Sequence, residues 1–225
     1  MAARKQSRGI CQYCQKEYAK GGMIRHLRSC SKRGEAIEKA GVTGSQTLYH
    51  LRVQDNWSND FWLDLEVRGS ATLQDLDRYL RAIWLECCGH LSQFSVGGWS
   101  GREIPMSRRI DRVFAPGVEL THIYDFGTSS ETLVKFVDAR KGKATTKHPM
   151  TLMARNLAPE VTCIECDQPA GWLCMECLYE DDIAGTLCDK HAESHPHRDY
   201  GKPVELYNSP RVAMCGYEGP AEPPY

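Results

Sequence analysis

Between residues 47 and 139, apolar and polar positions trade places with two different periods. Phe61, Leu63, Leu65 and Val67 alternate with Trp62, Asp64, Glu66 and Arg68, and Tyr49, Leu51 and Val53 alternate just before them. A period of two sends successive side chains to opposite sides of a pleated strand, so both stretches read as strands with one buried face. Asp55–Asn59 supplies turn formers between them and predicts an antiparallel pair. The period then changes. Leu73, Leu76, Leu80, Ile83, Trp84 and Cys87 recur at steps of three and four, which predicts an amphipathic helix over 72–87. Thr72 is a good N-cap, Asp75 suits the helix N-terminus, and Gly89 ends the pattern. Further strands are predicted near 94–96, 118–124 and 132–138, with Gly97-Gly98 as a turn. Two strands, a helix and several more strands make an α+β domain, one helix on a mostly antiparallel sheet.

On either side of this domain the periodicity gives way to paired metal-ligand residues. Cys11, Cys14, His26 and Cys30 have the spacing C-x2-C-x11-H-x3-C. His26 and Cys30 are four apart, share one helix face, and can both reach an ion held by the Cys11–Cys14 knuckle. Gly21-Gly22 breaks the chain before that helix, and Tyr18, Ile24 and Leu27 supply a small apolar core. The segment resembles the ββα zinc fingers in their CCHC form, which implies DNA or RNA as a target. Residues 31–46 read as a linker, with room for a short helical extension through Ile37.

The richest stretch is 163–197. Cys163 and Cys166 form one C-x2-C pair, Cys174 and Cys177 a second, Cys188 and His191 a C-x2-H pair, and His195 and His197 close the run. Zinc takes four tetrahedral Cys or His ligands, so eight paired ligands imply two closed sites. The expected wiring is a cross-brace, in which Cys163, Cys166, Cys188 and His191 hold one ion and Cys174, Cys177, His195 and His197 the other. Sequential pairing is the competing arrangement, and Cys215 is a candidate to replace either His195 or His197. With the finger, three zinc ions are expected. The pattern resembles B-box-like cross-brace domains, which implies protein contacts rather than catalysis.

Charge separates the ends of the chain. The net charge is −1, but residues 1–40 carry 10 Lys/Arg against 3 Asp/Glu, and residues 156–225 carry 4 against 13. Lys16, Lys20, Arg25, Arg28, Lys32 and Arg33 surround the finger and are the candidate nucleic-acid contacts. Glu180-Asp181-Asp182 lies inside the double-zinc module, where an acidic loop suits a protein partner and disfavours phosphate. Arg140, Lys141, Lys143 and Lys147 read as a polar basic connector between the middle domain and that module. The basic N-terminus lacks an apolar core of the kind a secretory signal needs, and no apolar run approaches the ~18 residues of a membrane span. The eleven cysteines are therefore expected to be reduced metal ligands in a cytoplasmic protein.

The middle domain carries a second resemblance. YHLRVQ, WLDLEV, ATLQDLDRYLRAIW, HLSQFSVGG and HIYDFG, with Trp84, His90, Phe94 and Tyr124 to Gly127, are similar to the plasmid pRiA third-open-reading-frame family, also labelled TnpR-like transposon-passenger. That resemblance spans about residues 46–139 and implies an α+β fold and an association with mobile elements, with no settled activity. It does not bring a serine-recombinase signature.

Two sets of residues are candidates for further chemistry. Cys87, His90 and His122 offer a metal site without knuckle spacing, and Asp125 offers a partner for either His. Cys88 beside His90 lacks a third group to orient a nucleophile. The tail from Asn208 to Tyr225 has no helical or strand period and reads as extended chain with tight turns. The expected protein is a non-enzymatic, zinc-binding, nucleic-acid-associated adaptor with three modules at 1–40, 47–139 and 156–225. The alternatives are a purely protein-binding zinc scaffold and a metal-dependent nuclease built on His90, His122 and Asp125.

Overall fold

The computed structural model describes residues 6–41 and 44–221. Arg4 and Lys5 of the basic head lie outside the described residues.

Strands β3 (Gln46–Asp55) and β4 (Trp62–Arg68) pair antiparallel, with Leu51 opposite Leu65 and Val53 opposite Leu63. They sit at the middle of a nine-stranded sheet. Its other strands are β1 (Arg8–Cys11), β2 (Glu17–Ala19), β5 (Ser92–Val96), β6 (Arg102–Ile104), β7 (Glu119–Tyr124), β8 (Ser130–Gly142) and β9 (Met150–Asn156). The order is β2-β1-β9-β4-β3-β8-β7-β5-β6, antiparallel at every pairing. The chain is thus α+β with a large antiparallel sheet.

One face of the sheet carries the expected core. Leu51, Val53, Leu63, Leu65 and Val67 pack under Leu73, Leu76, Leu80 and Trp84. Helix α3 (Leu73–Leu80) starts on a capping box, in which the Thr72 side chain accepts from the Asp75 backbone and the Asp75 carboxylate accepts from the Thr72 backbone. The helix is shorter than the period predicts. Residues 81–85 form a π-helical turn, where the Glu86 N–H donates to the Arg81 carbonyl at 2.8 Å. Ile83, Trp84 and Leu85 are all buried. Three consecutive buried residues mean that this turn is covered on more than one side, and the tail's Ser209 reaches the Trp84 carbonyl. Cys87 therefore lies past the helix.

The second face is buried as well, which corrects the one-faced reading of β3 and β4. Trp62, Asp64 and Glu66 on β4, and Leu48, His50 and Arg52 on β3, are all buried. The finger segment covers this face. Helix α1 (Lys20–Ser29) follows β1 and β2 in a ββα arrangement, and helix α2 (Ser31–Lys39) occupies most of the stretch read as a linker. Met23, Leu27, Cys11 and Cys30 pack with Trp62, Met153 and Ala154. The charged residues of the covered face are paired. Asp64 accepts from Arg52 (2.7 and 2.9 Å) and lies 2.7 Å from His50 Nε2, while Glu66 accepts from Arg33 at 2.7 Å and from Arg140 at 2.7 and 2.9 Å.

The basic connector is not a spacer. Residues 140–142 end β8, and β9 runs between β1 and β4, so the finger and the middle domain share one sheet. Gly9 of β1 makes this possible: a Cβ there would collide with the Arg155 carbonyl and the Trp62 ring.

Beyond β9 lies a smaller three-stranded sheet, β11 (Thr186–Leu187), β10 (Trp172–Leu173) and β12 (Val204–Glu205) in that order, with helices α4 (Met175–Tyr179) and α5 (Asp189–Ser194). The tail then returns to the large sheet instead of trailing as extended chain. Arg155 donates to the Asn208 carbonyl at 2.5 Å, Ser209 Oγ donates to the Trp84 carbonyl at 2.6 Å, and Arg211 is fully buried.

Candidate metal centres

The sequence places thiols and imidazoles in pairs, and the fold decides which pairs meet. A tetrahedral zinc with ligands at ~2.0–2.3 Å holds two sulfurs ~3.8 Å apart and a sulfur and a nitrogen ~3.5 Å apart. The Cys11–Cys14 knuckle closes β1, and His26 and Cys30 come from successive turns of α1 and its end. Cys11 and Cys30 sulfurs are 4.0 Å apart, and Cys14 Sγ is 3.3 Å from His26 Nε2. The His26 ring stacks on Tyr18 with centroids 3.8 Å apart, which fixes the imidazole plane.

In the C-terminal module the two ligand groups interleave as a cross-brace. Cys163, Cys166, Cys188 and His191 form one group; His191 Nδ1 lies 3.2, 3.4 and 3.5 Å from the three sulfurs, and Cys166 and Cys188 are 3.8 Å apart. Cys174, Cys177, His195 and His197 form the other, with Cys177 Sγ 3.1 Å from His195 Nε2 and 3.2 Å from His197 Nδ1. Each group offers four ligand atoms within 4.8 Å of one another and can hold a metal ion. Burial pushes the Cys163 thiol up, but backbone N–H groups of Cys188, Glu165 and Cys166 and the His191 ring outweigh it and bring the thiol down to about 6.

The carboxylates around these groups orient the imidazoles. Glu165, inside the first knuckle, accepts from Nδ1 of His195 at 2.9 Å, which leaves His195 Nε2 free for a metal in the second group. Its other oxygen is 3.9 Å from His191 Nε2. Asp181 of the acidic loop stands 3.7 Å from His197 Nε2, on the ring edge away from the sulfurs. Gly185 is held in a left-handed conformation (φ +65°) against the Cys174 carbonyl and Cys177, a position that excludes a side chain.

The middle-domain candidate is rearranged. His122 is fully buried on β7; its Nε2 is 2.8 Å from Asp77 Oδ1, and its ring packs on Phe94. It is a hydrogen-bonded core residue and does not approach Cys87 or His90 as a ligand. Asp125 is taken by Arg211 at 2.6 Å. Cys215 joins neither His195 nor His197. The tail carries it to Cys87, Cys88 and His90, and these four make a further group within 4.8 Å. Cys88 and Cys215 are 127 residues apart, and no spacing rule links them.

The six basic residues of the finger divide. Arg33 turns inward to Glu66, and Lys20 donates to the Asn59 carbonyl at 3.4 Å. Lys16, Arg25, Arg28 and Lys32 are exposed. Arg28 meets Asp138 at 3.3 Å and Lys32 meets Glu35 at 3.0 Å, both in open solvent, where such pairs contribute about 0–1 kcal/mol. Lys16 and Arg25 form no ion pair among the described residues.

No protein-family model matches the chain, and no curated protein matches it. Among solved structures, the crystal structure of a protein of unknown function from Methanosarcina mazei Go1, MM3350, is similar over 47% of this chain and 68% of its own, at 20% identity and a TM-score of 0.40. No helix of the described residues is long and apolar enough to cross a membrane.

Proposed function

We propose that this protein is a zinc-stabilised, non-enzymatic binding protein that contacts nucleic acid through the outer face of α1. The observation that carries this reading is the exposed pair Arg25 and Arg28 on α1, three residues apart, with Lys16 of the knuckle and Lys32 of α2 also exposed. That spacing puts Arg25 and Arg28 on one stripe of α1. The opposite face, Met23 and Leu27, is committed to Trp62 and Met153. A docked helix with an outward basic stripe suits phosphate contacts more than deep insertion into a groove. The surface pairs of Arg28 and Lys32 exchange for phosphate at little cost.

Zinc is the metal this reading assigns to the finger and to the two cross-brace groups. Cys-rich sets with one or two imidazoles favour it over Mg or Ca, and four protein ligands leave no open position for a substrate. The resemblance of residues 46–139 to the plasmid pRiA third-open-reading-frame family supports an association with mobile elements, and the reading extends to ribonucleoprotein biology and a cytoplasmic location. The C-terminal module supports a second contact. Tyr179 and Ile183 are 51% and 45% exposed beside Glu180-Asp181-Asp182, an apolar and acidic edge that suits a basic protein partner.

The test is nucleic-acid binding by the full chain across a salt series. Four phosphate contacts on a duplex give a slope of log K against log salt of roughly −3 to −4. Arg25→Glu with Arg28→Glu is expected to abolish binding at low salt while zinc content stays the same. Binding unchanged in that variant sinks the nucleic-acid reading and leaves the module at 156–225 as the contact, that is, a protein-binding scaffold.

A further inference from the structure

We infer that Cys87, Cys88, His90 and Cys215 form a fourth metal centre, for a zinc-class divalent cation, and that this ion fastens the C-terminal tail to the middle domain. The four ligand atoms lie within 4.8 Å of one another, and His90 Nε2 is 3.1 Å from Cys215 Sγ. Three sulfurs and an imidazole are the donor set of closed zinc sites, and soft thiolates exclude Mg and Ca.

Both contributing segments are held in place by contacts other than those among the four ligand atoms. Residues 86–90 leave the π-helical turn as a tight loop, in which the Glu86 carboxylate accepts from the Gly89 N–H at 2.5 Å and from the Tyr124 hydroxyl at 3.0 Å. The Cys87 N–H donates to the same Tyr124 oxygen at 3.3 Å. On the tail, Ser209 is bonded to the Trp84 carbonyl, and Arg211 donates to Asp125, Ser130 and the Thr128 carbonyl. These anchors put Cys215 over the loop. Its backbone and that of Ala213 are left-handed, with φ of 44° and 69°. Such a conformation is strained for a non-glycine residue and persists where its surroundings fix it. A sulfur locked into a ligand set provides that constraint.

A cation also stands beside the ligand set. Three thiolates around a divalent ion leave one net negative charge. Arg211 Nη2 lies 3.4 Å from Cys87 Sγ, so its positive charge is shared between that sulfur and Asp125. Asp125 Oδ2 is 3.6 Å from His90 Nε2, but it accepts from Arg211 and so stays outside the ligand set.

Cys88 and Cys215 are exposed, unlike the cysteines of the other three groups. This ion should therefore be the first one a chelator removes. The experiment measures zinc per chain in full-length protein purified under reducing conditions, beside Cys215→Ser and Cys88→Ser. Each variant is expected to hold one zinc fewer than the parent. Hydrogen exchange over residues 206–217 is expected to rise in both variants, and in the parent after brief chelation, while residues 163–197 keep their protection. Co(II) loading is expected to lose one site's share of thiolate charge-transfer absorption in each variant. Equal zinc and cobalt stoichiometry in parent and variants overturns the proposal. So does a Cys88–Cys215 disulfide in the protein as purified without oxidant.

Discussion

Arg211 Nη2 donates to Asp125 Oδ2 at 2.6 Å, and both side chains are buried, although 86 residues separate them. The guanidinium also lies over the Tyr124 ring, 5.2 Å from its centroid. Removing one partner of such a pair leaves the other charge without compensation. Arg211→Met is therefore expected to cost about 3–5 kcal/mol of stability, read from denaturant midpoints at equal zinc loading. A loss below 1 kcal/mol would mean that the tail adds little to the stability of the sheet.

Asp64 sets a second expectation, on acid stability. Burial pushes its carboxyl up, but the hydrogen bonds from His50 and Arg52 outweigh that and hold it below the ordinary 3.8. A carboxyl depressed in the folded state stabilises above its unfolded pKa, and that contribution is lost as pH falls through the folded one. The difference in unfolding free energy between the parent and Asp64→Asn should thus be largest above about pH 4 and shrink below it. Comparing the two proteins at each pH removes contributions they share, so the difference reads Asp64. A difference that does not change between pH 6 and pH 3 would show that this carboxylate is not the titrating group.

Gly9 predicts how the finger is attached. A methyl at this position meets the Arg155 carbonyl and the Trp62 ring, neither of which is a flexible chain end. Gly9→Ala should destabilise by about 1–3 kcal/mol through overpacking and should raise hydrogen exchange in β1 and β2. Exchange in β3 and β4 should change much less. Uniform loss of protection across all nine strands would instead mean that finger and sheet unfold as one unit.

Glu165 joins the two cross-brace groups: it lies between Cys163 and Cys166, yet it orients His195 of the other group. Glu165→Gln should lower zinc affinity of the second group by about 10–100-fold, measured by competition with a chromophoric chelator. The finger should be unaffected. Loss confined to the first group would show that the knuckle, not the hydrogen bond to His195, is what Glu165 supports.

Much of this architecture is legible in the sequence where the signal is local. The alternation in β3 and β4, the Thr72 capping box and the cross-brace pairing all rest on residues close together in the chain. What escapes is long-range. Asp64 and Glu66 look like a solvent face because nothing nearby says that a finger will cover them. Strand β9 alternates poorly, as both its faces are covered over much of its length, and it passes for a connector. The Cys215 group joins segments with no shared spacing, and a tail without periodicity conceals the buried Arg211.

The position of β9 has a consequence for the order in which the chain can be assembled on a ribosome. Residues 8–19 emerge before the rest of the large sheet, but among the described residues β1 has only β2 and β9 as strand neighbours, and β9 ends at Asn156. Through most of translation the finger therefore has no edge to join, and the Trp62 ring that will cover Gly9 waits beside a missing strand. A pairing closed across so much intervening sequence is slow to form. A nascent chain stalled before residue 150 should accordingly present a folded finger and an open β4 edge, the state in which this protein is most exposed to mispairing with another chain.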